Sequence, residues 1–243
     1  MKKILFLVFS LILAAQLRAE STETDPFSQG NQAFAEGRYT DAVEAYQAVI
    51  AARGYSAPVL FNLGNAYDRA GKIGAALASY ERARLLAPRD PAIAANEALV
   101  RKQTGLNAER TAWQQAAGFL SPDLWVWLLT GALFAGSGLA FWLYAGAERS
   151  EGGARLGLAL TILVALTSIG ALTIWSGKRQ QAWVTAPETP VRLSPFDDAQ
   201  TSFTLADGAE VRIEGHHDDY FLIRDAKGES GWLRKDQAAP LIP

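Results

Sequence analysis

The stretch 124-LWVWLLTGALFAGSGLAFWLY-144, a polar break AGAERSEGGAR, and 156-LGLALTILVALTSIGALTIW-175 decide the architecture of this chain. Each apolar half runs for about twenty positions without a charged residue, enough for a helix rising ~1.5 Å per residue to cross a ~30 Å hydrocarbon core. Leu, Ile, Val and Phe dominate both halves. At roughly −0.3 to −0.6 kcal/mol each, they insert either segment into a bilayer unaided. The competing reading, a hairpin buried in a soluble core, is disfavoured because soluble helices keep a polar face. Trp125 and Trp127 open the first segment, Trp142 and Tyr144 close it, and Trp175 closes the second; amphipathic rings at both ends suit the two headgroup layers. Two spans, at 124–145 and 155–176 with a loop at 146–154, form an antiparallel hairpin. Everything before Leu124 and after Trp175 then lies on one side of the membrane. Small residues four apart (Gly131/Ala135, Ala132/Gly136, Gly136/Ala140, Thr161/Ala165, Thr167/Ala171) permit close helix packing. That packing serves the hairpin itself or, failing that, another membrane protein. Neither half carries Asp, Glu, Lys, Arg or His, so no proton relay or ion path is expected.

Upstream, Lys2 and Lys3 precede the apolar run Ile4–Ala15, and Ala19 offers a small residue for cleavage. This reads as a signal segment over residues 1–19, cleaved or retained as an anchor. Either version carries residue 20 onward across the membrane and leaves the break between the spans in the cytoplasm. The remaining composition is bland: 243 residues, net charge −2, no cysteine. No basic excess points to nucleic acid, and no thiol is present for a disulfide, a nucleophile or a thiolate metal site.

Residues 27–105 contain a repeat. Gly30, Ala33, Gly37, Ala42 and Tyr46 recur 34 positions later as Gly64, Tyr67, Gly71, Ala76 and Tyr80. Leu60, Leu63, Ala83 and Pro88 complete the second copy. Small residues at 64 and 76 let two helices approach, Tyr67 and Tyr80 fill the seam, Gly71 permits the turn, and Pro88 ends the second helix. Spacing and residue types resemble the tetratricopeptide repeat (TPR). A third unit from Pro91 keeps Ala98 and Gly105 in register, without a recognisable second helix. The stretch 106–123, with Leu106, Trp113, Ala116, Ala117 and Leu120 near helical spacing, is expected to form a connecting helix that supplies the missing partner or lies in the interface. TPR arrays bind partners on the concave surface made by the first helix of each repeat. By that resemblance Phe27, Asn31 and Phe34, then Phe61, Asn62, Asn65, Asp68 and Arg69, then Asn96, Leu99 and Lys102 face the groove. Asn31 and Asn62 match two positions of the carboxylate clamp of some TPR proteins. Phe27, Ala92 and Asn96 stand where its basic residues belong, which argues against chaperone-tail recognition. Side-chain amides along a groove can still hydrogen-bond an extended peptide.

After GKRQQ the pattern changes to short alternating segments: AWVT, PVRL, SFTL, AEVRIEG, YFLIRD and SGWLRK, with breaks at Ser194-Pro195, Asp207-Gly208 and Lys227-Gly228. Residues 182–243 resemble a bacterial SH3-like domain, a small all-β barrel. Val191, Leu193, Leu205, Val211, Ile213, Phe221, Ile223 and Leu233 are its expected core, with Tyr220 and Trp232 on the aromatic surface patch such folds use for peptide or cell-wall contacts. His216-His217-Asp218-Asp219 reads as a solvated hairpin tip rather than a metal site, since neighbouring strand residues point to opposite faces.

The expected fold class is therefore a multidomain membrane protein: an α-helical TPR solenoid, a transmembrane helical hairpin and an SH3-like barrel. No nucleophile–base set, phosphate loop or paired-carboxylate constellation stands out, so no enzyme activity and no cofactor is expected. The reading favoured is a membrane-anchored extracytoplasmic adaptor. A cell-wall-binding or wall-enzyme accessory acting through the SH3-like module is the alternative, and a transporter subunit suits the hairpin but lacks polar intramembrane residues. The order of modules resembles the BatE family of bacterial aerotolerance (Bat) operons. That resemblance implies an inner-membrane, periplasm-facing protein, association with von Willebrand factor A-type Bat proteins and a MoxR-type ATPase, and a part in stress tolerance or envelope assembly; peptidoglycan contact is a further implication of the SH3-like module.

Overall fold

The computed structural model describes residues 25–106, 116–118, 120–144 and 151–242. The expected signal segment, most of the expected connecting helix and positions 146–150 of the expected loop lie outside them.

Five helices come first: α1 Pro26–Ala35, α2 Tyr39–Arg53, α3 Ala57–Arg69, α4 Ile73–Leu86 and α5 Pro91–Gln103. Pro26, Pro58 and Pro91 stand in the first turns of α1, α3 and α5, where a missing N–H costs nothing. The first helix of each unit closes in the same way. Arg38 N–H reaches Ala33 O at 2.8 Å, Lys72 N–H reaches Tyr67 O at 2.9 Å and Leu106 N–H reaches Arg101 O at 2.9 Å. The intervening glycine of the second unit, Gly71, sits at φ +74°, the left-handed cap of a Schellman turn that an L side chain would strain. Close approach of α1 to α2 and of α3 to α4 depends on glycine too. A Cβ on Gly30 would lie 2.6 Å from the Tyr46 ring, and one on Gly64 would lie 2.7 Å from the Tyr80 ring. Tyr46 and Tyr80 are both 1% exposed and anchor successive clusters: Ala33, Val43, Val49 and Leu63 around the first, Leu60, Leu77, Ile93 and Val100 around the second.

Two long helices follow, α6 Pro122–Tyr144 and α7 Glu151–Lys178. Both are long and apolar enough to cross a membrane, with mean hydropathies of 1.6 and 2.1. Only 6% and 11% of their apolar windows are buried within the chain, whereas the core helix of a soluble domain is covered all round. They pack on each other through small residues: Ala132, Ser168 and Ala171 are buried, and a Cβ on Gly136 would lie 3.1 Å from Thr161 Oγ1. At one end the indole N–H groups of Trp125 and Trp175 donate to a single carbonyl, Ala117 O, at 3.0 and 3.1 Å.

The last element is a seven-stranded antiparallel sheet of β1 Gln181–Val184, β2 Thr189–Arg192, β3 Thr201–Leu205, β4 Glu210–His217, β5 Tyr220–Arg224, β6 Ser230–Arg234 and β7 Ala238–Pro240. Its order is β3-β2-β6-β5-β4-β1-β7, an open sheet with β3 and β7 as its edges. Ala182, Val184, Val191, Val211, Ile223 and Leu233 form its buried cluster, with Leu205, Ile213 and Phe221 partly buried against them. Leu193, expected in this core, is 59% exposed. β2 alternates only as far as its end at Arg192, with Thr189 and Val191 buried, and Leu193 lies just beyond the strand, where that alternation no longer sets the direction of a side chain.

The sheet does not stand apart from the repeats. Trp183 of β1 and Leu241, after β7, are 0% and 1% exposed inside the second repeat cluster, against α4 and α5. They join the sheet to the repeats in one buried cluster. Leu106 also packs there. Between β3 and β4, Asp207 accepts the N–H groups of Ile73 and Gly74 at 2.8 Å each, capping α4 from another part of the chain. Backbones meet here as well: a Cβ on Gly74 would fall 1.8 Å from Val184 O. An ionic chain crosses the same junction: Lys178–Glu81 (3.3 Å), Glu81–Arg84 (2.5 Å), Arg84–Glu97 (3.6 Å), Glu97–Arg101 (3.0 Å) and Arg101–Glu210 (3.7 Å). Glu81 and Glu97 are 2% and 3% exposed, and a buried charge of that kind is tolerated only while its partners stay in place. The chain joins the end of α7, the repeats and β4.

Candidate functional site

Four asparagines form one row along the first helices of the three units. Asn31 Oδ1 accepts Tyr46 O–H at 2.8 Å and Asn62 Nδ2–H at 3.1 Å. One repeat on, Asn65 Oδ1 accepts Tyr80 O–H at 2.8 Å and Asn96 Nδ2–H at 2.8 Å. Asn62 and Asn65 are three apart on α3 and so share a helix face, which makes the row continuous from α1 to α5. Each tyrosine also carries an aromatic neighbour in register. Phe27 lies 5.9 Å from Tyr46 and Phe61 lies 6.1 Å from Tyr80, centroid to centroid, both tilted by about the same angle (53° and 52°). The 34-residue period thus repeats a four-part device of phenylalanine, asparagine, tyrosine and the next unit's asparagine. Its signal in the sequence is plain once sought, because Phe27/Phe61, Asn31/Asn65 and Asn62/Asn96 are each one period apart.

The arrangement alters the standing of the residues expected in the groove. Asn31 and Asn65 are part of the fold as well as of the surface, since each carbonyl holds a buried tyrosine hydroxyl. Burial raises the pKa of Tyr46 and Tyr80, opposed by the hydrogen bonds of Asn62 and Asn96. Among the described residues, Nδ2 of Asn31 and Asn65 and Oδ1 of Asn62 and Asn96 are not used by these bonds. A row of amide donors and acceptors of fixed orientation is left for a ligand. Phe34 packs on the first cluster and meets Tyr39 edge-on at 5.4 Å. Like Phe27 and Phe61 it is only half-buried. Arg69, Leu99 and Lys102 are exposed and Asp68 is half-buried.

Tyr220 and Trp232 are not brought into this row, and they do not make the exposed aromatic pair expected of them. Tyr220 is 5% exposed, and its hydroxyl donates to Asp197 at 2.5 Å. Arg234 holds the same carboxylate at 2.9 Å, so Tyr220 ties down the β2–β3 loop. This hydrogen bond is the largest cause of a raised Tyr220 pKa and of a lowered Asp197 pKa. Trp232 stays half-buried, with the His217 ring edge-on at 6.2 Å. His216 and His217 end β4, and His217 pairs with Tyr220 across a two-residue turn of Asp218 and Asp219. Asp218 sits at φ +44°, a left-handed geometry that aspartate tolerates. Among the described residues no group of three or more His, Cys, Asp or Glu stands together in a form that holds a metal.

Paired antiparallel helices with a 34-residue period and a polar wall on the first helix of each pair define a helical-repeat interaction protein. The tetratricopeptide repeat family matches residues 33–100. No curated protein matches the chain.

Proposed function

We propose that this chain is a membrane-anchored adaptor that holds a protein partner by an extended segment laid along the asparagine row of its TPR groove. The single observation that carries this reading is the recurrence of the Asn–Tyr–Asn network at one-repeat spacing. A peptide backbone offers N–H and C=O groups at regular intervals, and pre-oriented amides receive them at little ordering cost. Membrane anchoring is supported by α6 and α7, whose apolar surfaces are left largely uncovered among the described residues. The packing of Trp183 and Asp207 against α4 supports one side of the membrane for repeats and sheet together.

The finer reading is a subunit of a Bat-type complex at the bacterial inner membrane, facing the periplasm, with von Willebrand factor A-type membrane proteins and a MoxR-type ATPase as associates. It rests on the resemblance in module order and on an SH3-like reading of the sheet. The chain acts by binding rather than by catalysis. Wall contact through the sheet has only Trp232 to draw on, because Tyr220 is covered.

The test is recovery of partners from native membranes with Asn62→Ala/Asn96→Ala, which removes the outer amides and spares the tyrosine–asparagine bonds. Two lost hydrogen bonds at roughly 0.5–1.5 kcal/mol each weaken binding about fivefold to a hundredfold. Helical circular dichroism should persist. An unchanged partner set refutes the groove, whereas specific partners that include neither a von Willebrand factor A-type protein nor a MoxR-type ATPase refute the Bat assignment alone.

A further inference from the structure

A second cleft opens away from the asparagine row, where α2, α3 and α4 meet the sheet. It encloses about 470 Å³ and is walled by Ile50, Tyr55, Tyr67, Lys72 and Arg82 from the repeats and by Thr185 and Ala239 from the sheet. The volume lies in the range of small-molecule sites, ~300–1,000 Å³. None of the groove asparagines lines it.

Its polar groups are biased in one direction. Arg82 directs Nε to Leu241 O (3.2 Å) and an Nη to Pro240 O (2.5 Å), both neutral carbonyls. Among the described residues no carboxylate lies within ion-pair distance of it, and no acidic residue lines the cleft. Burial pushes the Arg82 pKa below its ordinary range, with the hydroxyls of Tyr55 and Tyr67 acting the other way. An arginine stays charged in a protein, so among the described residues this cation is held without a counter-ion. Tyr67 Oη accepts from Gln47 Nε2 at 2.7 Å, which leaves its proton to donate, and no acceptor for it stands among the described residues. Lys72 adds a second cation. The apolar remainder of the wall comes from Ile50, Ala51, Leu63, Ala75 and Ala78.

We infer that this cleft is a binding site for a carboxylate carried on an apolar body, with Arg82, Lys72 and the Tyr67 hydroxyl receiving the anion and the aliphatic wall receiving the rest. A free acid and the C-terminus of a peptide share this chemistry, and the test separates them.

The full chain, purified in a non-ionic detergent, is titrated by calorimetry with octanoate, with acetyl-Leu-Leu bearing a free carboxylate, and with the same dipeptide as its amide. One or both acids should bind, and the amide should bind at least roughly tenfold more weakly, the loss expected for charge-assisted hydrogen bonds. Octanoate alone binding assigns the site to free acids; the dipeptide acid binding more tightly assigns it to peptide ends. Lys72→Gln and Tyr67→Phe leave the Arg82 bonds to the sheet intact, and each should weaken the acid roughly threefold to tenfold. Arg82→Gln should abolish binding, with hydrogen exchange over β7 measured alongside to show that the sheet stays docked. Equal binding of acid and amide, no binding of either acid at millimolar concentration, or acid binding unchanged in Lys72→Gln and Tyr67→Phe overturns the proposal.

Discussion

Replacing Trp183 by alanine tests whether the sheet and the repeats share one core. Trp183 is fully buried, lies on β1, and packs among Leu77, Tyr80, Ile93 and Val100 of the repeats. A buried tryptophan removes ~150–250 Å² from water, which at ~25 cal/mol per Å² amounts to about 4–6 kcal/mol. Against this stands its indole N–H, which finds no acceptor among the described residues. An orphaned buried donor costs about 1–3 kcal/mol, and alanine relieves that cost. The net loss expected is about 1–5 kcal/mol, a large share of a domain's usual ~5–15 kcal/mol. Hydrogen exchange of the full chain, resolved by peptide, is the assay: protection in α4 and α5 should fall together with that in β1 and β7, by roughly fivefold to a few thousandfold. Trp183→Phe, which loses volume but also the orphan donor, should cost clearly less. Faster exchange confined to β1 and β7, with α4 and α5 unchanged, would refute the idea that the repeats and the sheet share one core.

Asp207→Ala removes both acceptors at the α4 N-terminus and should destabilise the junction by about 0.5–2 kcal/mol, read as faster exchange at Ile73 and Gly74. Gly74→Val should undock the sheet altogether, since a Cβ there meets Val184 O; a variant that keeps Trp183 buried by fluorescence quenching would contradict the contact. Stability should also fall at alkaline pH. Burial, the largest cause in each case, raises the pKa of Tyr46, Tyr67 and Tyr80 above the usual tyrosine value. The neutral phenols therefore contribute fully below the unfolded value of ~10, and the contribution is lost as pH rises from there through the folded values. Tyrosinate absorbance should show a group of phenols lagging the exposed ones, and titration of all tyrosines together near pH ~10 would disprove the buried seams. For topology, cysteines introduced singly at Ser56, Ser150 and Ser230 use the absence of native cysteine. An impermeant maleimide on intact spheroplasts should reach Ser56 and Ser230 positions but not Ser150, and the reverse pattern would invert the orientation.

Much of this molecule is legible in local pattern. Twenty uncharged positions in succession state that a helix has no polar face, whatever it packs against, and the 34-residue recurrence of glycine and tyrosine states that one helix pair follows another. Gly64 opposite Tyr80 and Gly71 at a left-handed turn were readable because the reasons are steric and act within one repeat. Alternation likewise marks six of the seven strands; β7, three residues ending in proline, carries too little pattern to show. Other features depend on contacts that no period encodes. Alternation divides a strand into two faces without saying which is covered or where the strand stops, and Leu193, one position past the end of β2, is exposed. Tyr220 looks like a surface aromatic until a loop carboxylate and Arg234 close over it. The asparagines read as a wall for a ligand, and only the packed helices reveal that two of them also hold the buried tyrosines. The docking of the sheet on the repeats is the clearest case. Trp183 lies about a hundred positions from the helices it covers, and its burial is decided by which edge of the sheet docks, a matter of the free energy of the whole assembled surface rather than of any segment of the chain.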